Sequence, residues 1–327
     1  MGLLPFERMD RSPIIRQADA KTSDKFGCYP EKRSVAELLE YGIINLDKPS
    51  GPSSHQVSSY VQGILKIKKS GHSGTLDPGV TGVLPVALGN GTRVVQSLLS
   101  AGKEYICLMR LHKEYSKEEV LAVLEKFTGK LRQLPPVKSA VKREWRYRTV
   151  YYNEFLDMQG TDVLFRCGCQ AGTYMRKICH DIGVALGSGA HMQELRRTKA
   201  GPFMESSTVT LHDVKDAFSY WEEYGDEKQL RRCVLPLEHA VAHLPKVVIA
   251  DTTVNSITQG ATLKVRGIVS VEANIQVGEL AAIMTLKGEL VAVGEAMMIS
   301  KDMVKKEAGV AVKSSQVFMQ PGVYPKM

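Results

Sequence analysis

The residues best suited to chemistry lie in one glycine-rich stretch, Gly71-His72-Ser73-Gly74-Thr75-Leu76-Asp77-Pro78-Gly79-Val80-Thr81-Gly82-Val83-Leu84-Pro85. Glycines at this density let a backbone take positive φ and come close to a ligand, and loops of this make commonly carry function. Asp77 precedes Pro78, which biases it toward an extended conformation. Its carboxylate therefore stands on a stiff, glycine-flanked loop, where it can act as a nucleophile; the competing account is an aspartate that satisfies loop amides. Other chemistries are excluded by spacing. Gly71-His72-Ser73-Gly74 lacks the second glycine of a G-x-S-x-G elbow, because position 75 is threonine. No GxxxxGK[ST] phosphate cradle occurs. The six cysteines, Cys28, Cys107, Cys167, Cys169, Cys179 and Cys233, include no C-x-x-C pair, so no zinc site and no disulfide framework is expected.

A second stretch, residues 132–149, holds six Lys/Arg against one acid, together with two prolines, Trp145 and Tyr147. Basic residues interleaved with aromatics suit phosphates and stacked bases; the competing account is a solvated basic loop.

These stretches need elements to hold them. A short strand over 42–46 ends in Asp47-Lys48-Pro49-Ser50-Gly51-Pro52, a turn signal. Ser53 or Ser54 can then cap a helix bearing Val57, Tyr60, Val61, Ile64 and Leu65 at helical spacing. Lys103 to Leu111 reads as a strand, Ser116-Lys117-Glu118-Glu119 as a capping box opening a helix, and 162–169 as a strand. A helix over 174–186 puts Met175, Ile178, Cys179 and Ile182 inward, leaves Arg176 off that stripe, and stops at Gly187. Val214, Ala217, Phe218 and Trp221 line a later helix ended by Gly225. Beyond 245 the texture becomes short strands split by turns, KVVIA, ATLKVRG, IQVG, LAAIMTL and LVAVGEAMMI, as in a small barrel or sandwich. Residues 1–35 form a polar arm with Pro5, Pro13 and Pro30.

The 327 residues suit two domains, and 43 basic against 35 acidic side chains leave a formal charge of +8, compatible with an anionic partner. No run approaches a membrane-spanning length and the N-terminus lacks a secretory core, so a cytoplasmic, membrane-free protein with buried reduced thiols is expected.

Five motifs in order over residues 41–203 resemble the TruB/dyskerin pseudouridine synthases. The glycine-rich stretch resembles their catalytic motif. Leu46-Asp47-Lys48-Pro49-x-Gly51-x-Ser53-Ser54 is similar to their first motif, with serine where bacterial members commonly have threonine. Lys103-Glu104-Tyr105, Gly172-Thr173-Tyr174-Met175-Arg176 and Gly189-Ala190-His191-Met192-Gln193-Glu194-Leu195-Arg196-Arg197 are similar to the tyrosine, arginine and final motifs. Gly260-Ala261-x-Leu263, Gly267-Ile268 and Gly294 resemble a PUA domain. The wording Pro136-x-Lys138-Ser139-Ala140-Val141-Lys142-Arg143 and the N-terminal arm are closest to archaeal homologues of dyskerin.

The resemblance implies an α+β fold: a central mixed, largely antiparallel sheet flanked by helices, plus a small C-terminal β-barrel-like PUA domain. The domains would run 1–35 (arm, packing with the PUA domain), 36–245 (catalytic) and 246–327 (PUA). It implies conversion of uridine to pseudouridine in RNA with no cofactor and no metal. Asp77 would be the nucleophile, attacking C6 of uracil or C1′ of ribose. Burial would raise the Asp77 pKa, so Arg176 would keep it ionised. Tyr105 would stack on the base and handle the C5 proton. Leu195, Lys48, Pro49 and Tyr174 would support the site, and His72, on the same loop as Asp77, would fill the space a flipped base leaves. Lys138, Lys142, Arg143, Trp145, Arg146 and Arg148 would clamp RNA from a mobile loop at 132–149. Three readings follow: the catalytic subunit of an H/ACA guide-RNA particle, a stand-alone tRNA T-loop synthase, or a non-catalytic RNA-binding scaffold. The first implies guide RNA, rRNA and tRNA as ligands, and three small proteins as partners: a zinc-containing subunit, a Gly/Arg-type barrel protein and a kink-turn binder.

Overall fold

The computed structural model describes residues 2–135 and 142–326. Two sheets organise it. The larger runs in the order Leu235–Pro236, Gly42–Lys48, Thr81–Leu88, Ala190–Ala200, Lys103–Leu111, Asp162–Cys169, Arg146–Gln159 and Gly129–Gln133. Ser70–His72 pairs with Thr81–Leu88, and Phe203–Met204 with Ala190–Ala200. Its one parallel pairing joins Thr81–Leu88 to Ala190–Ala200; the others are antiparallel. The sheet is thus mixed and largely antiparallel, as expected.

Helix signals in the sequence act where they stand. Ser53 accepts from the Gln56 amide and opens Ser54–Leu65, while Ser116 accepts from Glu119 and opens Lys117–Lys126. These side-chain oxygens satisfy amides that have no partner within the helix. Met175–Leu186 ends on Gly187 at φ 86°, and Leu211–Tyr224 on Gly225 at φ 72°. Val57, Val61 and Leu65 bury against Val214, Ala217 and Phe218 on one side of the sheet. Tyr60, from the same expected stripe, is exposed.

Three sequence expectations change. Only the first half of the glycine-rich segment is loop; Thr81–Leu88 is a central strand, with Val83, Leu84, Val86, Ala87 and Leu88 fully buried. The basic stretch 132–149 contains strand as well as loop: Arg132 and Gln133 close one strand, and Arg146–Arg148 open the strand paired with it. IQVG is a turn, while Ile268–Glu272 and Val310–Val317 supply the strands that reading left out. Five short helices among the described residues were also unread: Val35–Tyr41, Val95–Leu99, Lys228–Cys233, Asp251–Thr258 and Ser300–Lys305. Val35–Tyr41 carries a Ser34/Glu37 capping box, and Asp251–Thr258 buries Val254 and Ile257.

The second sheet runs Pro13–Ile15, Ile268–Glu272, Lys246–Ile249, Leu280–Met284, Leu290–Ala296, Val310–Val317 and Leu263–Lys264. Its first strand comes from the N-terminal arm, where Ile14 registers with Val271. The two sheets share a buried cluster: Ile43, Val83, Ala87 and Ala200 from the larger meet Ala282, Met284, Leu290 and Val293 from the smaller.

Candidate active site

Asp77 projects from the loop between Ser70–His72 and Thr81–Leu88. The loop is tied down atom by atom. Buried Ser54 accepts from the Leu76 amide at 2.8 Å and donates to the Leu76 carbonyl at 3.1 Å. The Gly51 amide donates to Pro78 O at 2.9 Å and Ser73 N to Pro85 O at 3.0 Å. Lys48, fully buried, donates from Nζ to the carbonyls of Pro49, Pro78 and Val80 at 2.8–3.0 Å. Burial pushes the Lys48 pKa down, the Arg197 charge adds to that, and Asp77 opposes it. Lys48 and Pro49 thus fix the backbone of the Asp77 loop.

Arg176, the second residue of Met175–Leu186, forms an ion pair with Asp77, Nη2 to Oδ2 at 2.8 Å. Their side chains are 57% and 52% exposed, so the expectation of a buried aspartate does not hold for the free protein. The pair lies open to solvent, and a ligand must supply its desolvation. The helix that presents Arg176 has no side-chain N-cap of its own. Buried Gln133 substitutes: its Oε1 accepts from Tyr174 N at 3.0 Å and its Nε2 donates to Tyr174 O at 3.3 Å. Gln133 was missed because nothing local marks it; its role comes from a hairpin reaching a helix forty residues away.

Tyr105 lies on the central strand Lys103–Leu111, opposite Cys167 on one neighbour and Arg197 on the other. Burial raises its pKa, while the Arg197 charge and a hydrogen bond from that guanidinium lower it. Leu195 registers with Cys107 and, with Tyr105, packs on the cluster that contains Met175 and Cys179. Cys107, Cys167, Cys169 and Cys179 are buried free thiols, and no metal-holding cluster occurs among the described residues.

His72 ends a strand and does not ride on the Asp77 loop as expected. Its ring meets His55 edge-on at 4.8 Å, and Nδ1 is buried without a partner. Burial holds its pKa below the ordinary value, helped by the charges of His55 and Arg197.

In the basic hairpin, Arg132 stacks over the exposed Trp145 ring at 4.4 Å and Lys130 over Tyr147 at 4.7 Å. Lys142 pairs with Glu144, Arg143 donates to Pro135 O at 3.3 Å, Arg146 to Lys142 O at 3.1 Å, and Arg148 to Tyr147 O at 2.8 Å. Lys138 lies outside the described residues.

Residues 62–175 match the TruB family pseudouridylate synthase N-terminal domain, and residues 176–242 the tRNA pseudouridylate synthase B C-terminal domain. Residues 4–58 match the DKCLD domain and 245–318 the PUA domain. A protein of Methanosarcina barkeri named probable tRNA pseudouridine synthase B is 53% identical, covering 99% of this chain and 96% of its own length. A protein of the same name in Methanothermobacter thermautotrophicus is 54% identical over 96% of this chain and 97% of its own. A chain in the crystal structure of a Cbf5-Nop10-Gar1 complex superposes with a TM-score of 0.95 at 51% identity, covering 99% of both chains. A chain from an H/ACA RNP bound to a substrate RNA containing 2′-deoxyuridine superposes with a TM-score of 0.93 at 49% identity, again covering 99% of both. The chain therefore belongs to the TruB/dyskerin family of pseudouridine synthases, with a C-terminal PUA domain and the fold of archaeal Cbf5.

Proposed function

We propose that this enzyme isomerises uridine with Asp77 as the nucleophile, as the catalytic subunit of an H/ACA guide-RNA particle acting on rRNA, with tRNA as a further substrate. The observation that carries the reading is the open Asp77–Arg176 pair on a rigid loop, beside the strands that bear Tyr105 and Leu195. Pseudouridine formation breaks the bond between uracil N1 and ribose C1′, turns the base, and joins C5 to C1′. The product is an isomer, so a nucleophile and a sheltered site suffice. Asp77 attacks C6 of the base or C1′ of the sugar. Bound RNA desolvates the pair, and Arg176 then holds the carboxylate ionised against burial. Tyr105 stacks on the flipped base, and its phenolate takes up the C5 proton while the freed N1 gains one from solvent. Leu195 and Tyr174 bound the pocket, and His72 supports the space the base vacates. Lys142, Arg143, Arg146 and Arg148 meet phosphates, with Lys138 assigned to the same surface and Trp145 offering a stacking face.

The partner assignment rests on likeness to chains solved within Cbf5-Nop10-Gar1 and H/ACA RNP assemblies. By that likeness the chain takes Nop10- and Gar1-type small proteins, as the zinc-containing subunit and the Gly/Arg-type barrel protein; a kink-turn binder and selection of the uridine by guide RNA complete the proposal. Stand-alone action on tRNA is a second reading, favoured by the tRNA-directed names of the curated relatives. No helix among the described residues is long and apolar enough to cross a membrane, which accords with the cytoplasmic location proposed for an RNA-modifying enzyme. The test incubates the purified chain with tRNA and, separately, with guide and target RNA and the small partners, and maps pseudouridines. Asp77→Asn is expected to abolish isomerisation in both while RNA affinity stays within about threefold; turnover by this variant rejects Asp77 as nucleophile.

A further inference from the structure

Adjacent arginines at the end of the final motif have opposite surroundings. Arg196 lies at the surface and pairs with two carboxylates, Asp47 (two hydrogen bonds, 3.0 and 2.9 Å) and Glu205. Arg197, one residue on, points to the other face of the strand and is 1% exposed. Among the described residues no carboxylate lies within ion-pairing distance of it. Its Nε donates to Val83 O at 2.7 Å and its Nη2 to Gly74 O at 3.3 Å.

A guanidinium held inside a protein without a carboxylate partner is expensive. Two buried lysines, Lys48 and Lys103, surround the same region with their ammonium groups bonded to carbonyls, which adds to the positive charge and to the cost. Packing does not demand such an arrangement, since an apolar side chain would fill the space more cheaply. The position of Arg197 gives the reason. Across one strand pairing it stands directly opposite Tyr105, and across the other it lies beside Gly82 at the root of the Asp77 loop. A Cβ on Gly82 would come within 2.2 Å of Arg197 O, so glycine is needed for this close approach. Gly74, whose carbonyl Arg197 holds, is in the Asp77 loop itself at φ 115°.

We infer that Arg197 is a positioning residue for pseudouridine formation: its buried guanidinium holds the Tyr105 hydroxyl from below the site and ties it to the loop that carries Asp77. This rests on the role proposed above for Tyr105. The electrostatics agree, because the Arg197 charge and hydrogen bond favour the phenolate while burial opposes it. A phenol so held is fixed beneath the base and more readily reaches the phenolate form that accepts a proton from C5.

The test uses the full chain on whichever RNA supports turnover, with single-turnover rates, RNA affinity and thermal unfolding measured for Arg197→Met and Arg197→Lys. In parallel, 3-fluorotyrosine is placed at position 105 and its fluorine resonance is titrated with pH. Arg197→Met is expected to slow isomerisation about 100-fold, the scale of losing one positioned donor, with RNA affinity within about twofold. Its 105 phenol is expected to titrate at higher pH than in the parent chain. Arg197→Lys, which keeps the charge and loses the fork, is expected to recover about tenfold of the rate and part of the phenol shift. If Arg197→Met does not fold, Arg197→Lys against the parent decides by the same two readings. A phenol that titrates no higher in the variants, or rates within twofold of the parent, overturns the inference. Inactivity of the parent chain on every RNA overturns the enzyme assignment instead, and the fluorine titration still judges the Arg197–Tyr105 link.

Discussion

Asp77 and Arg176 show how far single residues can be read. Their types and motif positions marked them, and the structure joins them at 2.8 Å. Their exposure was not readable, because loop burial depends on what packs over it, and among the described residues little does. That exposure sets the expected behaviour of Arg176→Ala. In the free protein an open ion pair contributes little to stability, so the melting temperature should stay within about 2 °C. In the RNA-bound state the unpaired carboxylate is desolvated, and the single-turnover rate should fall at least about 100-fold. A melting temperature that drops by 5 °C or more, or a rate near the parent's, contradicts this division. His72 shows the opposite case: its motif pointed to the loop, and backbone pairing places it on a strand.

At the scale of elements, caps and periodicity identified the four longest helices among the described residues, since both signals are local. The hairpin of Gly129–Gln133 and Arg146–Gln159 was half hidden, because its strands are dense in cations and its purpose is contact with other parts. One end caps the Arg176 helix through Gln133. Gln133→Ala should leave the Tyr174 amide and carbonyl without that partner and cost about 1–3 kcal/mol. It should also lower the isomerisation rate by loosening Arg176, with a smaller effect on RNA affinity; chemical denaturation and single-turnover kinetics check both. At the same end, just before Arg146–Gln159, stand Lys142 and Arg143, exposed beside Trp145. Neutralising both should weaken binding to many RNAs and flatten the salt dependence by about 1.5 in log–log slope, close to 0.7–0.9 per phosphate contact. An unchanged slope removes this hairpin from the RNA surface.

Across the whole molecule, the two sheets form one body through their shared apolar cluster and through the N-terminal arm. Arg11 donates to the carbonyls of His243 and Leu244 at 2.9 and 3.0 Å and pairs with Glu272. Lys199 pairs with Glu7 at 2.8 Å, and Arg33 makes two hydrogen bonds to Glu238. Buried at this junction, His243 donates from Nε2 to Ser97 O, 3.1 Å away. Burial pushes its pKa down to about 4, the Ser97 hydrogen bond opposes this, and the Lys246 and Lys103 charges add to it. Between pH 6.5 and 4 the unfolded chain therefore binds a proton that the folded chain refuses. Stability is full above pH 6.5 and falls as the pH drops toward 4, by about 3 kcal/mol for this group. His243→Gln should flatten that limb of the stability curve, as read by denaturant unfolding at pH 7 and pH 4.5. An equal loss in both proteins would show that His243 is not its source.

The order of motifs, the capped helices and the candidate carboxylate on its glycine-rich loop were all legible in the chain, because each depends on residues close together in sequence. The strand character of Thr81–Leu88, the Gln133 cap, the arm strand at Pro13–Ile15 and the burial of Arg197 were not. Each of these arises from pairing or packing between distant segments. Charge counting treated Arg196 and Arg197 alike; the sheet puts one among carboxylates and the other, with no counter-ion among the described residues, opposite Tyr105.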